Sequence, residues 1–264
     1  MLHSVFERSV HDQRRALVGW AIGVALYTAM VVAVYPTIRD RPDVQRVIDD
    51  YPEALRKLFS IRDIGSPAGF LNGYLLSVMI PLLLIIYAVL VGGDATAGEE
   101  ERRTIDLLLA NPISRTRVLL EKLGGLAAGT SLLGLSLYMT VVVLAPAVGL
   151  HVPYMRLAEA TVAMVLVAVE FGAIAVLFGA ATGRRGVARG TAAAIAASSY
   201  LLSSLSTMVG GLRPWRLASP YYHAIGTDPM RHGLDPVHWA VLIASTAFLA
   251  LAAGWWFDRR DLAT

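Results

Sequence analysis

Residues 71–91 read LNGYLLSVMIPLLLIIYAVLV, an uncharged run of the length a helix needs to cross a lipid bilayer. Residues 94–122 follow as DATAGEEERRTIDLLLANPISRTRVLLEK, a short charged insert before the next apolar run. Runs of similar length recur along the chain, giving spans at about Ala16–Tyr35, Leu71–Val91, Leu123–Leu150, Leu157–Thr182, Val187–Val209 and Val237–Phe257. Backbone groups inside lipid must be satisfied within the segment, so these runs predict an all-α integral membrane protein with six transmembrane helices. Composition agrees, because 56% hydrophobic residues and a mean hydropathy of +0.57 exceed ordinary globular usage. Pro146 sits late in the third run, where it predicts a tilt or kink.

Charge makes up 16% of residues and falls between the apolar runs, so the net +3 reads as membrane-flanking charge and excludes a nucleic-acid face. With no cysteine, disulfide frameworks and thiolate metal sites are excluded too. An even number of spans places both termini on one side. The larger share of the 23 lysines and arginines lies on that side, which predicts cytoplasmic termini in a cell (inner or plasma) membrane. The first run follows Arg14 and Arg15 but has no small-x-small cleavage pattern, so it reads as a retained span. Trp20, Trp239, Trp255 and Trp256 fall near predicted span ends, as interfacial rings prefer. Leu2, Val5, Phe6, Ser9 and Val10 recur at helical spacing and predict an amphipathic N-terminal interfacial helix. A similar stripe, from Val44 to Phe59 and interrupted by Pro52, marks the first outer loop. Nothing marks a second domain, and residues 1–264 read as one transmembrane unit.

Catalytic signatures are missing. The only lysines are Lys57 and Lys122, and neither belongs to a nucleotide-binding phosphate loop. No His-Glu-x-x-His pair and no Gly-x-Ser-x-Gly elbow occurs, so neither a metalloprotease nor a serine hydrolase is indicated; no catalytic or metal-binding residue is expected. Glu170 stands near the middle of the fourth run, where a carboxylate is costly and normally faces protein or water. It and the fifth-run serines Ser199, Ser203 and Ser206 are candidates for a translocation path, helix-to-helix hydrogen bonding being the competing reading. Gly19/Gly23, Gly69/Gly73, Gly125/Gly129 and Gly186/Gly190 have the spacing that lets helices approach closely.

In the insert, Thr96 and Glu99 fit a capping box, and Glu99, Glu100 and Glu101 favour the positive end of a helix starting there. Ile105, Leu108 and Leu109 form an apolar stripe, and Asn111-Pro112 predicts its end. Ser114 then caps a second helix that carries Arg115 and Arg117 into the third span. The expected product is a cytoplasmic helical elbow, docked in a groove on a soluble protein or resting on lipid headgroups.

The run Glu99-Glu100-Glu101-Arg102-Arg103-Thr104-Ile105-Asp106-Leu107-Leu108-Leu109-Ala110-Asn111-Pro112-Ile113-Ser114-Arg115 with Lys122 resembles the permease subunits of type-2 ATP-binding-cassette (ABC) transporters, although Arg103 stands where the family commonly has glycine. Ser219-Pro220-Tyr221-Tyr222, Gly226-Thr227-Asp228-Pro229 and the ending Phe257-Asp258-Arg259-Arg260-Asp261-Leu262 are similar to that family as well. The resemblance implies a half-transporter whose insert is a coupling helix seated on a separate nucleotide-binding ATPase, and a second permease copy, identical or homologous. Glu99, Glu100, Glu101, Arg102 and Thr104, with Ile105, Leu108, Leu109, Pro112 and Arg115, would form that coupling contact. It further implies re-entrant helices between Gly210 and Pro236 and outward transport by alternating access, with ATP and magnesium bound by the partner and none in this chain. The competing readings are an ATPase-linked subunit that transmits force or assembles a partner, and a membrane scaffold without an ATPase.

Overall fold

A computed structural model describes residues 5–39, 66–101, 115–233 and 235–259, which form helices joined by turns, with no strand among the described residues. The long helices are α1 (Val5–Arg39), α2 (Met79–Gly93), α3 (Arg115–Leu144), α4 (Tyr154–Thr182), α5 (Arg185–Leu205) and α6 (Pro236–Arg259). Five stretches are long and apolar enough to cross a membrane: Arg14–Arg39, Pro67–Gly98, Thr116–Leu144, Tyr154–Thr182 and Pro236–Arg259. The helix expected over Val187–Val209 forms as α5, 21 residues long, but it is not among these five. Arg185, Arg189 and the serines Ser198, Ser199, Ser203 and Ser204 dilute its apolar content.

Several boundaries differ from the sequence reading for physical reasons. The expected interfacial helix is continuous with the first span from Val5 onward, since no glycine or proline interrupts residues 5–18. The third helix ends at Leu144; Pro146 opens a 3-10 turn over Pro146–Val148, and Gly149 follows with φ 67°, a left-handed closing position. The second span begins at Pro67, with the Ser66 hydroxyl accepting from the Gly69 amide at 3.1 Å. It contains two π-helical segments, Asn72–Leu76 and Asp94–Gly98, flanking α2. The second π segment corrects the capping box. The chain stays helical from Met79 through Glu101, so upstream carbonyls already receive the amides that Thr96 was expected to cap. Thr96 is buried instead, and its hydroxyl has no hydrogen-bond partner among the described residues.

The helix α4 is the axis of the bundle. It packs against α2, α3, α5 and α6 and is the most enclosed span, whereas α1 lies on the outside against α3. Ala160, Ala163, Val167, Phe171 and Ala175 are fully buried along it. Gly92 of α2 and Gly172 of α4 meet backbone to backbone, and a Cβ on Gly92 would run into the Gly172 carbonyl oxygen. Of the spaced glycine pairs, Gly129 faces the Tyr87 hydroxyl, while Gly19, Gly23, Gly186 and Gly190 face open space. Outward-facing Val18, Ile22, Leu26 and Met30 of α1 are exposed at helical spacing, as are Val241, Phe248 and Leu251 of α6. An apolar exterior over a tight interior is what a lipid solvent selects.

Candidate functional site

The second span emerges at a knot of charge. Asp94 Oδ2 lies 2.8 Å from Arg189 Nη2, and Asp94 Oδ1 lies 3.4 Å from Arg185 Nη1. Glu101 accepts twice from Arg185, at 2.9 Å from its backbone amide and 3.2 Å from its Nε. Arg189 Nη2 also donates to the Leu90 carbonyl at 3.3 Å, and Gly93 leaves the space that the Arg189 stem fills. Arg185 and Arg189 are one helical turn apart on α5, so one face of that helix holds Asp94 and Glu101, two of the four acids that open the insert. These side chains are about a third exposed, so the knot is an interface clamp and not a buried ion pair. A second tie joins the far side of the insert: Thr116 donates to Asp258 at 3.0 Å, holding the start of α3 to the end of α6.

Of the expected coupling residues, Glu99, Glu100 and Glu101 continue the second span as a short helical turn, and Arg115 opens α3. Arg102, Thr104, Ile105, Leu108, Leu109 and Pro112 lie outside the described residues, as do Val44 to Phe59 of the first outer loop.

At the opposite end, between α5 and α6, the chain forms 3-10 turns over Gly210–Leu212 and Pro214–Ala218, a π segment over Tyr222–Gly226 and a short helix over Pro229–His232. Short helical pieces therefore occupy the region expected to hold re-entrant helices. Asp235 caps α6, accepting from the Val237 amide at 2.9 Å ahead of Pro236 at the first helical position. The loop is bolted to the bundle by hydroxyls. Ser219 donates to the Ser199 carbonyl at 2.8 Å, the Ser199 hydroxyl accepts from the Tyr221 amide at 3.1 Å, and the Tyr221 hydroxyl donates to the Ser77 carbonyl. Burial, reinforced by the neighbouring Tyr200, raises the pKa of the Tyr221 phenol, so this donor keeps its proton at physiological pH.

Beneath that loop is a cavity of about 150 Å³ between the second span, α4 and α5. Its polar wall includes Asn72, Ser203, Ser206, Arg216, Asp228 and Arg231, and its apolar wall includes Leu76, Met164 and Ile225. The structure thus brings Ser203 and Ser206 together, whereas Ser199 is spent on holding the Ser219–Tyr222 turn. Glu170 does not line the cavity. It is buried in α4 beside Ser245 of α6, and its Oε2 has no hydrogen-bond partner among the described residues.

A histidine pair escaped the sequence reading, because His223 and His238 stand on different elements fifteen residues apart. Their Nδ1 atoms are 2.6 Å apart, and His223 Nε2 lies 2.8 Å from the Leu217 carbonyl. A carbonyl only accepts, so His223 carries its proton on Nε2, and His238 donates from Nδ1 in the neutral pair. The Arg185/Arg189 clamp was missed too, although two arginines four residues apart at the start of a helix were its visible signal. Among the described residues no group of three or more histidines or acids is arranged to hold a metal ion.

No curated protein matches the chain. A family model described as "ABC-2 family transporter protein" matches residues 3–262, nearly the whole length. Membership in that family implies association with an ABC ATPase partner. With apolar spans packed around α4 and a match from end to end, the chain belongs to the ABC-2 transporter family and is a multi-pass permease component of an ABC transporter.

Proposed function

We propose that the chain is the six-span half of an ATP-driven exporter, with α5 as the sixth membrane helix, both termini and the insert on the cytoplasmic side of the cell membrane, and a second permease copy completing the path. The insert is the coupling element. ATP and magnesium bind and react in the partner ATPase, and this chain converts the partner's closure into a change of access. The observation that carries the reading is the clamp of Asp94 and Glu101 on Arg185 and Arg189, because it ties the root of the insert to α5. A push on the insert then moves the second span and α5 together against α4, opening one end of the path and closing the other. Ser203 and Ser206 would supply polar wall at the outer end.

The test is co-purification of the chain with its ABC ATPase, followed by nucleotide hydrolysis with wild type and with a Leu108→Asp, Leu109→Asp variant. Two carboxylates on the apolar stripe should weaken the complex and uncouple hydrolysis. Unchanged binding and unchanged coupled hydrolysis would refute the coupling assignment.

A further inference from the structure

His223 and His238 join the loop between α5 and α6 to the start of α6 through a hydrogen bond that full protonation must break. Their ring centroids are 4.9 Å apart, close to the largest separation that rings joined at 2.6 Å can have, so the two Nδ1 atoms point at one another. In the neutral pair His238 Nδ1 donates to His223 Nδ1 while His223 Nε2 donates to the Leu217 carbonyl, which leaves His238 Nε2 as the free lone pair. A first proton lands there, and the bond survives. A second has only His223 Nδ1 to occupy, which turns that acceptor into a donor and sets two N–H groups face to face. The two imidazolium charges would also stand close to Arg216, whose guanidinium lies over Tyr222 at 4.7 Å, while Tyr222 meets both histidine rings edge to face at 5.7 Å. Asp235 is the acid that faces His238, and its Oδ1 already accepts from the Val237 amide. On the other helices packed against the Tyr222–Gly226 segment, Arg156 and Glu159 of α4 are paired with each other at 3.0 Å, and Tyr200 of α5 lies against Tyr221.

We propose that His223 and His238 are a two-proton latch, which holds the Tyr222–Gly226 segment on α6 until acid adds the second proton and then releases it. Tyr222 and Arg216 also line the cavity, so release loosens the wall of the cavity at this end. The ties made by Ser199, Ser219 and Tyr221 are hydroxyl and amide bonds that do not titrate in the histidine range, so the response is local to the seam between this segment and α6. The latch does not depend on the transport reading; only the compartment whose acidity it senses follows from the proposed orientation.

The chain has no native cysteine, so spin labels on Leu217→Cys and Val241→Cys, both exposed, read the seam by pulsed electron resonance on the detergent-solubilised full chain. Leu217 moves with His223, and Val241 lies one turn beyond His238 on α6. With the native histidines, acidification from about pH 8 to about pH 5 should remove most of the short-distance population, and return to the higher pH should restore it. His238→Asn should stay short at both, because its amide can donate to His223 Nδ1 or, turned over, accept from it, and takes up no proton. His238→Ala should show the long distance at both. His232→Asn, outside the pair, should respond as the native histidines do. Labels at Leu82→Cys on α2 and Val162→Cys on α4 should keep their distance throughout, which separates release of the latch from acid unfolding. A short distance that persists at the lower pH, opening of His238→Asn alongside the native pair, a closed His238→Ala at the higher pH, or a matching change in the α2–α4 pair would overturn the latch. Since no ATPase is present, failure here leaves the coupling reading intact, and failed coupling leaves the latch standing.

Discussion

Replacing Gly92 with alanine adds one methyl group where the second span and α4 touch backbone to backbone. The new Cβ would overlap the Gly172 carbonyl oxygen, and its next neighbours would be the Gly172 carbonyl carbon at 3.1 Å and the Ala175 Cβ at 3.2 Å. Carbon atoms pack at about 3.5–4.0 Å, so even those contacts are short by about half an ångström. Relief requires the helices to part by about 1 Å, because backbone cannot swing aside as a side chain can. Overpacking of this kind costs about 1–3 kcal/mol, and alanine's better helix propensity returns less than about 1 kcal/mol. We expect a net loss near 2 kcal/mol, read as a fall of roughly 5 °C in the unfolding midpoint of the detergent-solubilised protein. Gly19→Ala and Gly23→Ala are the controls: both glycines face open space on α1, so the midpoint should hold or rise slightly. If Gly92→Ala proves as stable as wild type while the controls behave, the α2–α4 contact is not the close seam described above.

Other consequences are equally direct. The chain has no native cysteine, so single cysteines report topology cleanly: Trp215→Cys and His151→Cys should react with an impermeant maleimide in intact cells, and Arg117→Cys only after permeabilisation. The reverse pattern would invert the proposed orientation. Ser199→Ala leaves the buried Tyr221 amide without its acceptor and should cost about 1–3 kcal/mol in thermal stability, with the loss traced to the outer loop by hydrogen exchange at Tyr221 and Tyr222. In the clamp, a double-mutant cycle of Asp94→Asn and Arg189→Met should give a coupling of about 0.5–1 kcal/mol, the range for partly exposed pairs; additive effects would remove the direct interaction.

Five of the six expected spans were legible because crossing a bilayer demands a run length that composition displays openly. Boundaries were less so. The capping motif at Thr96 and Glu99 is locally valid, but continuous helix from Met79 leaves it no unpaired amides to cap, and a local motif cannot reveal that its first turn is already occupied. The fifth helix was drawn to Val209 by its apolar tail, yet it ends at Leu205, where Ser206 and Thr207 turn their hydroxyls onto the Ser203 and Ser204 carbonyls. Site residues divide along the same line. Ser203 and Ser206 reach the cavity and Ser199 does not, although all three are buried, Ser199 and Ser203 on α5 and Ser206 at its C-terminal cap, because the Ser219 turn lands on one level of the helix and leaves the next one open. Arg216 and Asp228 joined the site only through the folding of the loop, which no spacing encodes.

The central claim is that the insert between the second and third spans transmits the ATPase's motion to this bundle. A Leu108→Cys variant, assembled with its ABC ATPase in membranes and treated with a short bifunctional thiol–amine crosslinker, tests that claim at the proposed contact. The account predicts a permease–ATPase adduct whose yield changes on adding ATP and magnesium, and none from Trp215→Cys at the opposite end. An adduct formed from Trp215→Cys and absent from Leu108→Cys would contradict it.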